Sequence, residues 1–258
     1  MGQGTKTARG RIKYELMLLV VLAVFVAAAL LLRDKPEPEA AAEPTAVPTP
    51  TAVPTPTPIP DNYFEYAEGK WAEVEYGTGG GTAIDSSRFT NPDTKNNADL
   101  VQFAIQAWEN RWGYVWGTFG DILTEDLLQY KLDQYPDDLE EYEEFIRENW
   151  LGQRTADCMG LIKGYGWYDA DSGFIYYGTG AMKDVTTEGM FDDATVVGPI
   201  DTIPETPGLI VYAVGHVGVY IGNGEVIEAI STRGGVVKTK LTGRNWTHWL
   251  ECPYIEYE

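Results

Sequence analysis

Arg-Thr-Ala-Asp-Cys-Met-Gly-Leu-Ile-Lys-Gly-Tyr-Gly-Trp, residues 154–167, is the stretch on which the reading of this 258-residue chain turns. Thr155 and Asp157 are both residue types that cap a helix, Met159, Leu161 and Ile162 continue it with an apolar face, and Gly164 and Gly166 weaken it. Cys158 therefore stands at a helix start. Unpaired backbone N–H groups and the positive end of the helix dipole favour a thiolate there, so its pKa is expected to fall from about 8.5 toward neutrality. Fast alkylation at mildly acidic pH is the corresponding expectation. Such a nucleophile needs a partner that exchanges protons near neutral pH, and the chain has two histidines, His216 and His248. His216 is the better placed, as the strand pattern below shows.

Composition bounds the rest. Apolar residues make up 44% of the chain, with 8 Trp and 16 Tyr, enough for one buried core beyond the amino-terminal region. The net charge of −20 falls almost wholly beyond residue 60 and argues against nucleic acid as a partner. Cys158 and Cys252 are the only cysteines. A single disulfide between them is one reading; two free thiols are preferred, because a disulfide would waste the helix-start setting of Cys158. The residues call for no metal and no organic cofactor.

The amino-terminal region reads as an anchor and a stalk. Residues 1–15 are basic, with Lys6, Arg9, Arg11 and Lys13, and 16–32 form an unbroken apolar run. The run is just long enough to cross a hydrocarbon core once. The preceding charges keep the amino terminus cytoplasmic, so the remainder is expected outside the cell membrane as a single-pass protein. A cleaved signal peptide is the rival reading. Residues 33–60 are rich in Pro and Thr, repeat Val-Pro-Thr-Pro and suit an extended linker, reaching on the order of 80 Å at about 3.1 Å per residue. Residues 61–97 are aromatic and glycine-rich and carry no functional assignment.

Further along, Asn96 or Asn97 caps an expected helix over 98–110, with Leu100, Phe103, Ala104, Ala107 and Trp108 at helical spacing. Gly113-Tyr114-Val115-Trp116-Gly117-Thr118 marks a tight loop in which Tyr114 can point a hydroxyl into a cleft. Two helices follow over 124–135 and 138–150, broken at Pro136. Residues 169–173, Asp-Ala-Asp-Ser-Gly, read as a turn and not as a calcium loop, since the other oxygen ligands are missing. A strand is expected over 174–177 and irregular chain over 178–206.

The carboxyl-terminal third reads as a β-meander: strands over 209–214, 216–221 and 225–230, with Gly222-Asn223-Gly224 as the hairpin. A three-residue loop sets Val219 opposite Ile227 and Gly218 opposite Glu228, which puts His216 and Glu228 on one sheet face, one diagonal step apart. A two-residue loop would send them to opposite faces. On the shared face, Glu228 accepts a hydrogen bond from one ring nitrogen and leaves the other for sulfur.

Asp157-Cys158-Met159-Gly160-Leu161, Pro207-Gly208-Leu209-Ile210 and the run His216 to Gly224, His-Val-Gly-Val-Tyr-Ile-Gly-Asn-Gly, resemble the catalytic motifs of the NlpC/P60 family of papain-like cysteine peptidases. Tyr114-Val115-Trp116-Gly117 resembles the aromatic-glycine motif that precedes the cysteine. The resemblance covers about 98–258. It implies an α+β papain-like fold, with the cysteine helix packed on an antiparallel sheet that carries the histidine, and hydrolysis of peptidoglycan stem peptides. Position by position it implies Cys158 as nucleophile, His216 as acid/base and Glu228 as orienting residue, with Tyr114, Asp157 and Trp116 at the substrate. Three departures stand out: Met159 in place of a small serine and Thr118 in place of a second glycine, both expected to narrow the groove, and a long helical insertion over about 121–155, expected to act as a lid. A stalked wall-binding module without turnover, and an acyl or amide transferase on the same fold, are the alternatives.

Overall fold

The computed structural model describes residues 74–257. The expected membrane run 16–32, the linker 33–60 and the first part of 61–97 lie outside these residues. Among the described residues no helix is long and apolar enough to cross a membrane.

The fold is α+β, built from a six-stranded antiparallel sheet and a helical layer. Helix α1 (Asn97–Glu109) begins where Asn96 accepts the Asp99 N–H on its side chain, and it turns Leu100, Phe103, Ala104 and Ala107 inward. The burial follows the 3.6-residue period of the sequence. The chain then forms β1 (Phe119–Ile122), the helices α2 (Glu125–Gln134), α3 (Pro136–Leu139) and α4 (Glu143–Asn149), β2 (Arg154–Ala156) and α5 (Cys158–Trp167). After α6 (Thr187–Asp193) come β3 (Val197–Pro199), β4 (Ile210–Ala213), β5 (His216–Gly222), β6 (Glu225–Ser231), β7 (Gly235–Lys240) and β8 (His248–Leu250). In space the sheet runs β3-β8-β4-β5-β6-β7, while β1 and β2 form a separate antiparallel pair.

Strand alternation divides the apolar residues between two cores. Ile210, Tyr212, Val217, Val219, Ile227 and Ala229 meet α1 and α5 in the larger one. Val211, Ala213, Tyr220 and Val226 lie on the other face with Trp246. The insertion has its own core of Val115, Leu123, Leu128, Leu132, Leu139, Ile146 and Trp150. Each fully buried leucine there contributes roughly 1.5–3 kcal/mol. Its two ends are tied together by Leu123 N–H to Gln153 O (2.8 Å) and Gly152 N–H to Leu123 O (2.9 Å). Trp150 Nε1–H pins it to Thr232 O at 2.7 Å. As Pro136 indicated, helix breaks there, but residues 136–149 form two short helices joined by a 3-10 turn instead of one.

Two sequence expectations change, at 174–177 and at 178–206, whereas Gly164 and Gly166, expected to weaken α5, lie within the helix, which runs to Trp167. A Cβ on Gly160 would stand 1.9 Å from Thr118 O, and one on Gly164 would stand 2.2 Å from Phe119 O. Glycine one turn apart lets the cysteine helix lie directly on the backbone of the preceding strand segment. Residues 174–177 are not a strand: Ile175 makes an isolated bridge with Tyr168, and Phe174, Tyr176 and Tyr177 are exposed. The stretch 178–206 is not irregular throughout, since Thr186 caps α6 and β3 adds to the sheet edge through β8.

The described part of 61–97 belongs to the same body. Glu75 exchanges both backbone hydrogen bonds with Lys238 on β7 (2.9 and 3.0 Å), and Asp99 accepts from Thr90 and Asn91. At 169–173 the expected turn is present, with Asp169 Oδ1 accepting the Ser172 N–H at 2.8 Å.

Candidate active site

Asp157 caps α5, accepting the Gly160 N–H on Oδ1 at 2.5 Å, so Cys158 is the first helical residue. Its other oxygen, Oδ2, accepts the Gly117 N–H at 2.8 Å, and its own N–H donates to Thr118 O at 3.0 Å. One side chain thus starts the cysteine helix and clamps the aromatic loop against it. Asp157, expected at the substrate, has each carboxylate oxygen engaged inside the fold.

The Cys158 sulfur receives the backbone N–H groups of Val217 and Met159. Val217 directly follows His216 at the start of β5, so the thiol lies at the end of the strand that carries the histidine. The sulfur is not bonded to Cys252: both cysteines are free and buried. The expected thiolate is corrected, however. Burial, reinforced by the neighbouring Asp157 charge, pushes the Cys158 thiol up to about 12, against the smaller lowering effects of the Val217 and Met159 amides and Lys163. A helix start favours the anion only in proportion to the solvent or countercharge that supports it, and this sulfur is 5% exposed.

His216 and Glu228 are brought together. His216 Nε2 and Glu228 Oε2 are 2.7 Å apart, and both residues are buried. The register behind this contact differs from the one expected. The hairpin is the two-residue turn Asn223-Gly224, with both residues at positive φ (54° and 68°), and Glu225 pairs with Gly222. By simple alternation that turn would separate the two side chains. A bulge between Tyr220 and Gly222 restores the parity, so Val219 still faces Ile227. Gly218 lies opposite Glu228, and a Cβ there would stand 3.3 Å from the Glu228 Cβ.

Glu228 has further partners that the sequence did not disclose. Thr239 Oγ1 donates to Oε1 at 2.6 Å, and Arg244 Nη2 donates to Oε2 at 2.6 Å. Burial alone would raise this carboxyl, but the hydrogen bond and charge of His216, the Arg244 guanidinium and the Thr239 hydroxyl outweigh it and hold the group at about 2. An ionised carboxylate can only accept, so the proton of the 2.7 Å contact sits on His216 Nε2. The Trp246 ring stacks on the imidazole, with centroids 5.3 Å apart and planes 12° from parallel. Thr239 lies on β7. Arg244 and Trp246 lie in the loop before β8, where no local pattern marks them.

Tyr114 is buried in the main core, 5% exposed, and its ring lies 6.5 Å from that of the half-buried Trp116. Met159 is packed in the main core, and buried Thr118 closes its own turn through Oγ1–H to Val115 O at 2.7 Å. The insertion does approach the site: a Cβ on Gly117 would fall 2.6 Å from the Tyr135 ring and 3.3 Å from Lys131 Nζ. His248 is set edge-on to Phe191, with ring centroids 5.1 Å apart.

No protein-family model matches this chain, and no curated protein does. Solved structures similar to it include the P60 domain of the Mycobacterium avium subspecies paratuberculosis antigen MAP1204, at 18% identity and a TM-score of 0.35, over 62% of this chain and 98% of that one. The peptidoglycan hydrolase RipB from Mycobacterium tuberculosis is similar at 18% identity and a TM-score of 0.35, over 67% of this chain and 71% of that one. NlpC1 from Trichomonas vaginalis is similar at 18% identity and a TM-score of 0.35, over 61% of this chain and 45% of that one.

Proposed function

We propose that this chain is a cysteine peptidase of the NlpC/P60 type that hydrolyses amide bonds in peptidoglycan stem peptides, held outside the cell membrane by residues 16–32 and the linker 33–60. The observation that carries the reading is the buried His216–Glu228 contact at 2.7 Å, beside a helix-start cysteine whose sulfur meets the next backbone amide of the same strand. The substrate class rests on the motif resemblance of 157–161, 207–210 and 216–224.

The chemistry follows from the groups. Because burial keeps the resting thiol protonated, attack is driven by base removal: His216 Nδ1 takes the Sγ proton as sulfur adds to the amide carbonyl. With the Gly160 N–H on Asp157 and the Met159 N–H on the sulfur, the Cys158 N–H is the first-turn donor for the developing oxyanion. The C–N bond then breaks as the imidazolium returns its proton to the leaving amine, producing a thioester. Water adds next, His216 takes its proton, and the thiol leaves with that proton while a carboxylic acid departs. Glu228 stabilises the imidazolium at both stages.

The test is digestion of purified peptidoglycan followed by mass spectrometry of released fragments. The unmodified chain should release fragments with new carboxyl termini, and Cys158→Ala should release none. One observation favours a second reading, a wall-binding module without turnover: Cys158 is 5% and His216 1% exposed. Retention of intact peptidoglycan with no fragment from the unmodified chain would establish that reading in place of the first.

A further inference from the structure

Glu228 is fully buried, and three donors converge on it. From β5 comes His216 Nε2 and from the loop before β8 comes Arg244 Nη2, both on Oε2; from β7 comes the neutral Thr239 hydroxyl on Oε1. Two of these are cationic or can become so, and only Arg244 carries its charge whatever the state of the ring. The difference decides where the imidazole proton lies. A buried carboxyl faced only by a neutral imidazole and a hydroxyl is driven by desolvation to take a proton. As a carboxylic acid it would donate to Nε2, and the neutral ring would then carry its own proton on Nδ1, the wrong nitrogen for a base that must receive a proton from sulfur. With a guanidinium 2.6 Å away, the carboxylate stays an acceptor and the ring proton stays on Nε2.

We propose that Arg244 is a positioning residue that fixes His216 in its Nε2-protonated form by keeping Glu228 ionised. The catalytic consequence rests on the peptidase reading above; the protonation pattern does not. The same loop carries Trp246, whose ring stacks on His216, so one segment holds both the orientation of the imidazole and the charge of its partner. Arg244 acts through Glu228 and has no part in bond making.

The experiment is a long-range proton–nitrogen spectrum of the uniformly nitrogen-15-labelled chain near neutral pH. The chain has two histidines, and His248→Gln identifies the signals of the other. The unmodified chain should show His216 with a proton on Nε2. Arg244→Met should move that proton to Nδ1 or mix the two forms, and Arg244→Lys should restore the original pattern. If Arg244→Met does not fold, Arg244→Gln carries the same expectation. In fragment release, Arg244→Met should lower kcat by about 10²- to 10⁴-fold, the range that general acid–base catalysis contributes, with KM within about threefold. A folded Arg244→Met or Arg244→Gln chain that keeps the Nε2-protonated pattern overturns the proposal, as does an Arg244→Lys chain that loses it. A chain that releases no fragments but shows these spectra refutes the peptidase reading alone.

Discussion

Replacing Glu228 with Gln removes a charge while keeping shape, so the effect on stability isolates the electrostatics of the buried cluster. The folded carboxyl sits at about 2, against 4.5 for an unperturbed glutamate. The sign follows from linkage. A depressed folded pKa means that the unfolded chain binds the proton more readily, so the stabilisation is fully present above about 4.5 and is lost as pH falls toward about 2. The difference corresponds to roughly 3 kcal/mol at neutral pH. Glu228→Gln forgoes that contribution at every pH, and it leaves the Arg244 guanidinium opposite a neutral amide. Urea unfolding at a series of pH values, run on both chains, measures the gap between them. It should be about 3 kcal/mol at pH 7, shrink once the pH drops below about 4.5, and be small near pH 2. A gap that stays constant across the whole range would mean that Glu228 is not held ionised by its neighbours, and the argument for the cluster fails.

Gly160→Ala would raise helix propensity by about 1 kcal/mol at an open site. Here the new Cβ meets Thr118 O at 1.9 Å, so the variant should instead lose at least roughly 2 kcal/mol, read as a lower urea midpoint. An unchanged or raised midpoint refutes the close approach of α5. With its thiol at about 12 and buried, Cys158 should react with iodoacetamide at neutral pH roughly a thousandfold more slowly than a free thiol, followed by peptide mass spectrometry. Rapid labelling in mild acid would reinstate the resting thiolate. Trp150→Phe keeps an aromatic side chain but removes the donor to Thr232 O and part of the buried bulk, and should lower stability by about 1–3 kcal/mol with the insertion loosened first. Hydrogen exchange that leaves the α2 to α4 amides as protected as before would contradict that anchoring.

Local signals carried far in this chain because they act over one turn or one hairpin. The Asp157 cap and the helix that begins at Cys158, the Asn96 cap and apolar stripe of α1, and the β4 to β6 meander were all legible from residue type and spacing. Gly160 and Gly164 were harder, since a glycine that loosens a helix and a glycine that admits a neighbouring backbone look alike until the neighbour is known. The His216–Glu228 pairing was anticipated through the wrong turn: Asn223-Gly224 forms a two-residue hairpin, and only the bulge after Tyr220, a matter of how two strands meet, kept both side chains on one face.

The sequence by itself determined which residues start helices, which alternate in strands and which types are available for proton transfer, because those properties depend on near neighbours along the chain. Only the tertiary structure decided that Thr239, Arg244 and Trp246 gather on Glu228 and His216, and that the Cys158 thiol is raised and not lowered. Desolvation and countercharge depend on what is folded over a group, and Thr239 and Arg244 lie 11 and 16 residues beyond Glu228 along the chain.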